Sequence, residues 1–391
     1  MPADRIPHGT SYQLPRQFRQ REAVLRRLQE LFDGWGYQPV ELPALEVFDP
    51  AHPAAAGAFK LVDSDNSLLA LRSDFTPALS HLVRQHFRQA AAGAASLRLQ
   101  YRGSTWLAAG ADLAHAREFT QLGIELIGVS SPRADAELIH LARESVRAVG
   151  LAPRIEIGNP ALVRALFDEA QIPDGQRDEL AGAIDRKDAA MLRTLLDGLA
   201  LAPEFEKAFL LIPELYGERD VLDRARAGLP WEAARRELGR VEELLEQFED
   251  DSELLLDLGV ARRLSYYTGV TFRAYTFDYG QPLLGGGRYD GALLPYAAGF
   301  SRGLDRLMRA SPAPAERTVP RIMSSDDVAA RLLRRHGYTV IRSLATEEAH
   351  LRAEAVTAGA AYLVLAGRVQ AVGSEAGLLR ALQQLLDGAG Q

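Results

Sequence analysis

Four short segments carry the residue types that could grip a small charged molecule. Arg72-x-Asp74-x-Thr76 sets a guanidinium, a carboxylate and a hydroxyl at alternate positions, and Gln121-Leu-Gly-Ile-Glu125 sets an amide and a carboxylate four residues apart. Arg262 to Gly269 adds an arginine and the pair Tyr266-Tyr267, and Gly285-Gly-Gly-Arg-Tyr-Asp-Gly291 adds a glycine-rich run with charged neighbours. Carboxylates and an amide suit an ammonium, arginine suits a carboxylate, and rings with hydroxyls suit a heterocyclic side chain. The combination points to a zwitterionic metabolite such as an amino acid. Taken singly, each residue would read as an ordinary surface or sheet-edge side chain.

Hydrophobic periodicity places these segments. Phe18, Val24, Leu25, Leu28, Leu31 and Phe32 predict an amphipathic helix over 16–33, ended by Gly34-Trp-Gly-Tyr-Gln-Pro39, with an extended stretch over 40–45. Short strands are expected near 59–62 and 67–72, then a helix over 76–91 that admits Pro77 in its first turn. Strands follow over 96–102 and 118–127. In the latter, Gln121, Gly123 and Glu125 alternate with Leu122, Ile124 and Leu126, so the polar side chains share one face. A helix is expected over 133–149, an almost purely helical insertion from 171 to 250 without strands, and strands again near 254–258 and 271–277. After a linker at 311–316, short strands and helices alternate to the end.

Bulk composition narrows the class. The 391 residues can bury one large core and smaller units, and 25% charged with 47% hydrophobic residues is ordinary for a globular chain. No cysteine is present, which removes disulfides and thiolate metal sites and fits a reducing compartment, so a cytoplasmic location is expected. The eight histidines are scattered without an HExxH, so no metal is expected. No apolar run approaches a membrane span. The net charge of -7 supplies no general pull toward nucleic acid, and tRNA is not expected as a ligand.

In order and in content these segments resemble the catalytic domain of histidyl-tRNA synthetase and its synthetase-like paralogue, the regulatory subunit of ATP phosphoribosyltransferase. Gly36-Tyr37 with Leu42-Pro43-x-x-Glu46 resembles the first class II motif, which serves dimerisation in those proteins; Ala298 to Arg306 resembles the third. The resemblance covers residues 6–310. It implies an α+β fold: a class II aminoacyl-tRNA synthetase-like antiparallel sheet flanked by helices. The synthetase-like domain would occupy 1–170 and 251–310, a helical insertion 171–250, and a small C-terminal α/β domain 319–391. It also implies histidine binding by Asp74, Thr76, Gln121, Glu125, Arg262, Tyr266 and Tyr267.

Departures from the pattern separate the two relatives. Where a synthetase orients ATP with an arginine followed two residues later by glutamate, this chain has Leu107 and Ala109, and leucine offers no donor to a phosphate. Arg263 and Ser265 stand where the synthetases usually have glycine and aspartate. The implied function is therefore a regulatory subunit without catalytic residues or cofactor. It would activate a separate short-form ATP phosphoribosyltransferase catalytic subunit, the first enzyme of histidine biosynthesis, and take part in allosteric inhibition by histidine. Self-dimerisation and a hetero-octamer of both subunits are expected with it. The alternative is a divergent histidyl-tRNA synthetase.

Overall fold

The computed structural model describes residues 6–50, 55–108, 116–261, 267–311, 320–345, 347–373 and 377–388. It divides into two compact units, residues 1–314 and 315–391. In the first, α1 (Pro15–Gly34) leads to β1 (Gln38–Val40), then to the small strands β2 (Leu45–Val47), β3 (Lys60–Val62) and β4 (Leu68–Leu71). Helices α2 (Thr76–His86) and α3 (Arg88–Ala91) follow, then β5 (Leu97–Trp106), β6 (Glu118–Ile127), α4 (Pro132–Ala148) and β7 (Arg154–Gly158). The single helix expected over 76–91 is interrupted at Phe87, whose backbone leaves the helical region at φ −126°, ψ 57°.

A helical stretch then runs through α5 (Pro160–Glu169), α6 (Asp174–Asp185), α7 (Ala189–Asp197), α8 (Pro203–Leu211), the two-residue strand β8 (Tyr216–Gly217), α9 (Val221–Gly228) and α10 (Glu232–Leu245). Strand β8 corrects the expectation of none between 171 and 250. It is too short to show periodicity and exists because it can pair with β9 (Leu254–Asp257). Strands β10 (Thr271–Thr276), β11 (Tyr279–Arg288) and β12 (Ala297–Gly303) and helix α11 (Leu304–Ala310) complete the unit.

The main sheet has the order β1-β5-β6-β12-β11-β10-β7-β9-β8, antiparallel except at β1/β5 and β7/β9. Directly paired residues point to the same side of a sheet, so its two faces can be read off the register. One face carries Leu122, Ile124, Leu126, Ala298, Phe300, Phe272, Ala274, Ile155 and Ile157, all part of the largest hydrophobic core with α1, α4 and the helical stretch. The opposite face carries Gly103, Gln121, Gly123, Glu125, Gly285, Gly287, Gly299 and Gly303. The apolar face holds the fold together; the glycine face carries the polar residues Gln121 and Glu125.

The second unit contains β13 (Arg321–Ser324), α12 (Asp327–Arg335), β14 (Thr339–Arg342), α13 (Glu348–Thr357), β15 (Tyr362–Leu365), β16 (Arg368–Ala371) and α14 (Leu379–Gly388). Its sheet has the order β14-β13-β15-β16, with only β15/β16 antiparallel. Ile322, Leu333, Tyr362, Val364 and Leu382 form its core.

Candidate functional site

The glycine face is not bare. A methyl group on Gly299 would stand 1.9 Å from Glu125 Oε2, one on Gly123 2.4 Å from the Tyr101 hydroxyl, and one on Gly103 2.8 Å from Arg72 Nη2. Glu125, Tyr101 and Arg72 therefore lie flat over glycines of adjacent strands. Here the triplet Gly285 to Gly287 lies inside β11 and is not a turn; a side chain on Gly286 or Gly287 would run into the neighbouring strands, whereas Gly285 has room for one.

Glu125 is fully enclosed. Its Oε2 accepts a hydrogen bond from the Tyr289 hydroxyl at 2.7 Å, and its Oε1 faces the Tyr101 hydroxyl at 3.4 Å. Burial pushes its carboxyl up to about 8; the tyrosine bonds pull against that rise and the Asp74 carboxylate adds to it. A carboxyl raised in this way favours its neutral form, and an ammonium placed beside it would stabilise the carboxylate and favour release of the proton to solvent. Gln121 is buried two steps of the alternation away, flanked in register by Gly103 and Gly303.

Asp74 sits just ahead of α2. Its Oδ1 accepts from the Phe75 amide at 2.7 Å and lies 3.4 Å from both the amide and the hydroxyl of Thr76. Phe75 stacks on Tyr101 with ring centroids 4.4 Å apart, and the Arg72 guanidinium lies 3.9 Å over the other face of Phe75. Tyr267 packs against the same aromatic cluster, which includes Tyr289. The structure thus brings Asp74, Thr76, Gln121, Glu125 and Tyr267 to one face of the sheet. Arg262 and Tyr266, with Ala109, Arg263 and Ser265, lie outside the described residues.

Arg72 differs from its sequence reading as a receptor for a carboxylate. Its Nη1 donates to the Leu42 and Pro43 carbonyls at 2.7 and 2.8 Å and its Nη2 to the Ser104 carbonyl at 2.8 Å. It is a strut joining three segments of backbone. Arg288 and Asp290 of the glycine-rich motif are also structural: Arg288 bonds Asp135 Oδ1 at 2.6 and 2.9 Å, the Val129 carbonyl at 3.0 Å and Asp290 Oδ1 at 2.9 Å.

Sequence reasoning passed over three contributors. Tyr101 and Tyr289 clamp Glu125, and period-two counting from Gly103 and Gly287 would have placed both rings on the glycine face. Glu46, assigned to the first motif, turns toward Arg72 and Asp74. Burial pushes its carboxyl up to about 7, with Arg72 opposing and Asp74 adding to the rise. Leu107 leaves the end of β5, its amide donating to the Arg117 carbonyl across the hairpin at 2.9 Å. Arg117 supplies a cation near this rim, but its guanidinium is laid over the Phe59 ring at 4.4 Å. Among the described residues no group of three or more metal-ligating side chains occurs.

With this geometry in view, the sequence model of histidyl-tRNA synthetase matches residues 9–307. The ATP phosphoribosyltransferase regulatory subunit of Thermus thermophilus is 44% identical over 336 residues, covering 85% of this chain and 91% of that protein. The chain belongs to the histidyl-tRNA synthetase-like family of ATP phosphoribosyltransferase regulatory subunits. Within that family, the Deinococcus radiodurans regulatory subunit is 42% identical over 354 residues, covering 89% of this chain and 85% of its own. A crystal structure from Bacillus halodurans, described as an ATP phosphoribosyltransferase regulatory subunit/histidyl-tRNA synthetase, superposes with a TM-score of 0.79 at 25% identity, covering 90% and 96% of the two chains. The histidyl-tRNA synthetase of Nostoc sp. PCC 7120 shares the fold, with a TM-score of 0.74 at 20% identity and coverage of 93% and 91%.

Proposed function

We propose that this chain is the regulatory, non-catalytic subunit of an ATP phosphoribosyltransferase. It acts in the first step of histidine biosynthesis, where it activates a separate short-form catalytic subunit and senses histidine. The observation that carries the reading is the set of polar residues gathered at the glycine face of the sheet, of types that suit recognition of a zwitterion and not of ATP. Asp74, Thr76, Gln121, Glu125 and Tyr267 lie at the same glycine-rich face, while the end of β5, where a synthetase would grip phosphate, carries Leu107. Asp74 and Glu125 suit an ammonium, and Arg262 and Tyr266 complete the proposed histidine set through the carboxylate and ring. The names of the two relatives at 44% and 42% identity support the same assignment and do not favour a divergent synthetase.

Self-association has its own support. Val47, Leu69 and Leu61 stand in one row across the three-stranded sheet β2-β4-β3, with Leu45 on the same face, and Val47 is 79% exposed. With Val47, Leu45 and Leu61 exposed and Leu69 half-buried between them, such a row suits an isologous contact with a second copy. The test of function is reconstitution: the short transferase from the same source is assayed alone, with this chain, and with this chain plus histidine. Activation by the chain and its reversal by histidine are expected. Histidine-dependent pyrophosphate exchange by the chain alone, or no effect on the transferase, would sink the assignment.

A further inference from the structure

A second cleft, of about 630 Å³, lies between α5 and α10. Ala161, Arg164, Ala165 and Asp168 line it from α5 at helical spacing, and Ala233, Glu237 and Arg240 line it from α10. Alanines on both helices keep the walls apart where larger side chains would have closed them. Thr268 completes the lining, while its neighbour Tyr267 packs with the aromatic cluster of the first pocket. The two sites thus touch one short segment of chain from different sides.

The charges in the cleft are unequally engaged. Asp168 is paired with Arg177 at 2.7 Å, and Glu237 takes Asn159 Nδ2 at 3.1 Å and Arg240 at 3.0 Å. Arg164 is half-buried and has no hydrogen bond or ion pair among the described residues; burial lowers the basicity of its guanidinium, while Glu237 and Asp168 nearby oppose that. A guanidinium with its fork free offers a bidentate seat for a carboxylate. The carboxylates flanking it, with Glu169 beside them, favour a positive group close to that seat, and they disfavour a multiply charged phosphate.

We infer that the α5–α10 cleft is a second binding site, for an amino-acid-like zwitterion whose carboxylate sits on Arg164 and whose ammonium faces Glu237 and Asp168. Because Thr268 borders it, occupancy bears on the segment that carries Tyr267. By linkage, any effect on affinity at the first pocket must be returned in equal measure.

The full chain is titrated with each standard protein amino acid in turn, and with ribose 5-phosphate, by calorimetry on the wild type, Arg164→Gln, Ala233→Phe and Glu125→Gln. Ala233→Phe fills the cleft without removing a charge, so a folding defect in one variant leaves the other to decide. Expected is at least one amino acid whose affinity falls by about tenfold or more in Arg164→Gln and Ala233→Phe, as for one lost charge-assisted contact, yet persists in Glu125→Gln. Binding abolished by Glu125→Gln alone belongs to the first pocket and leaves the cleft without a ligand, which overturns the inference. So does tighter binding of ribose 5-phosphate than of every amino acid, or binding indifferent to both cleft variants.

Discussion

Arg302→Met should stabilise the protein. Arg302 lies on the core face of β12, 2% exposed, and none of its three guanidinium nitrogens has a hydrogen-bond partner among the described residues. Among the described residues its compensation is two aromatic neighbours, the rings of Phe32 and Phe300 at 5.7 and 5.5 Å. Burial alone pushes the guanidinium down to about 9. At about 1.4 kcal/mol per pH unit below the ordinary arginine range, carrying that proton inside costs roughly 5 kcal/mol. The ring contacts return about 1 kcal/mol each. Methionine fills similar volume with no charge, so the substitution should gain about 3 kcal/mol, within the range seen when buried ions give way to apolar groups. For a unit of this size that is on the order of 5 °C in melting temperature. The sign with pH is fixed by linkage: the native state binds this proton more weakly than the unfolded chain, so the penalty is full below about pH 9 and fades as pH rises toward the unfolded value. Melting curves of both proteins at neutral pH and above pH 10 provide the assay. A melting temperature that falls in Arg302→Met, or a gap of the same size at both pH values, would refute the reasoning by showing that the guanidinium is partnered in solution.

Three further outcomes follow from the geometry. Glu125→Gln should weaken histidine binding by about 1–3 kcal/mol and abolish proton release on binding, measured calorimetrically in buffers of different ionisation heat; it should also flatten the loss of stability expected between pH 5 and 8, where a carboxyl raised to about 8 is held protonated by the native state but not by the unfolded one. Unchanged affinity would remove Glu125 from the site. Gly299→Ala, whose added carbon meets Glu125 Oε2 at 1.9 Å and the Ile124 carbonyl at 2.4 Å, should lower the melting temperature and histidine affinity together, whereas Gly291→Ala, a glycine with positive φ and no neighbour within 4 Å, should cost stability by strain alone. Asp135→Ala, which removes the partner of Nε and Nη2 from the buried Arg288 but leaves its bonds to Asp290 and the Val129 carbonyl, should cost about 1.5–3 kcal/mol by chemical denaturation without entering the pocket.

How much of this was legible in the sequence depended on whether each residue is governed by local pattern or by partners far along the chain. Strand β6 was readable to its ends because Gln121, Gly123 and Glu125 alternate with aliphatics. The glycines of β11 were harder, since glycine alone signals a turn; only pairing with Gly299 and Thr271 shows that the missing side chains make room for other strands. Arg72 looked like a ligand residue because its type permits it, and three carbonyls from two distant segments claim it instead. Arg302 gave no signal at all, as strand position 302 alternates with Ser301 and could have faced either way.

The side chains that recline over the glycine troughs have one more consequence. Glu125, held by two tyrosines above Gly299, and Phe75, pressed between Tyr101 and Arg72, have given up their rotational freedom during folding. A molecule landing there meets a surface that no longer has to be ordered, so little of its binding energy is lost to that task. The same rigidity removes tolerance: a ligand of slightly different shape cannot be accommodated by repacking the floor. Adaptation must come from the margins, at the start of α2 and around Tyr267 and Thr268, and selectivity there becomes a matter of how far those margins can yield.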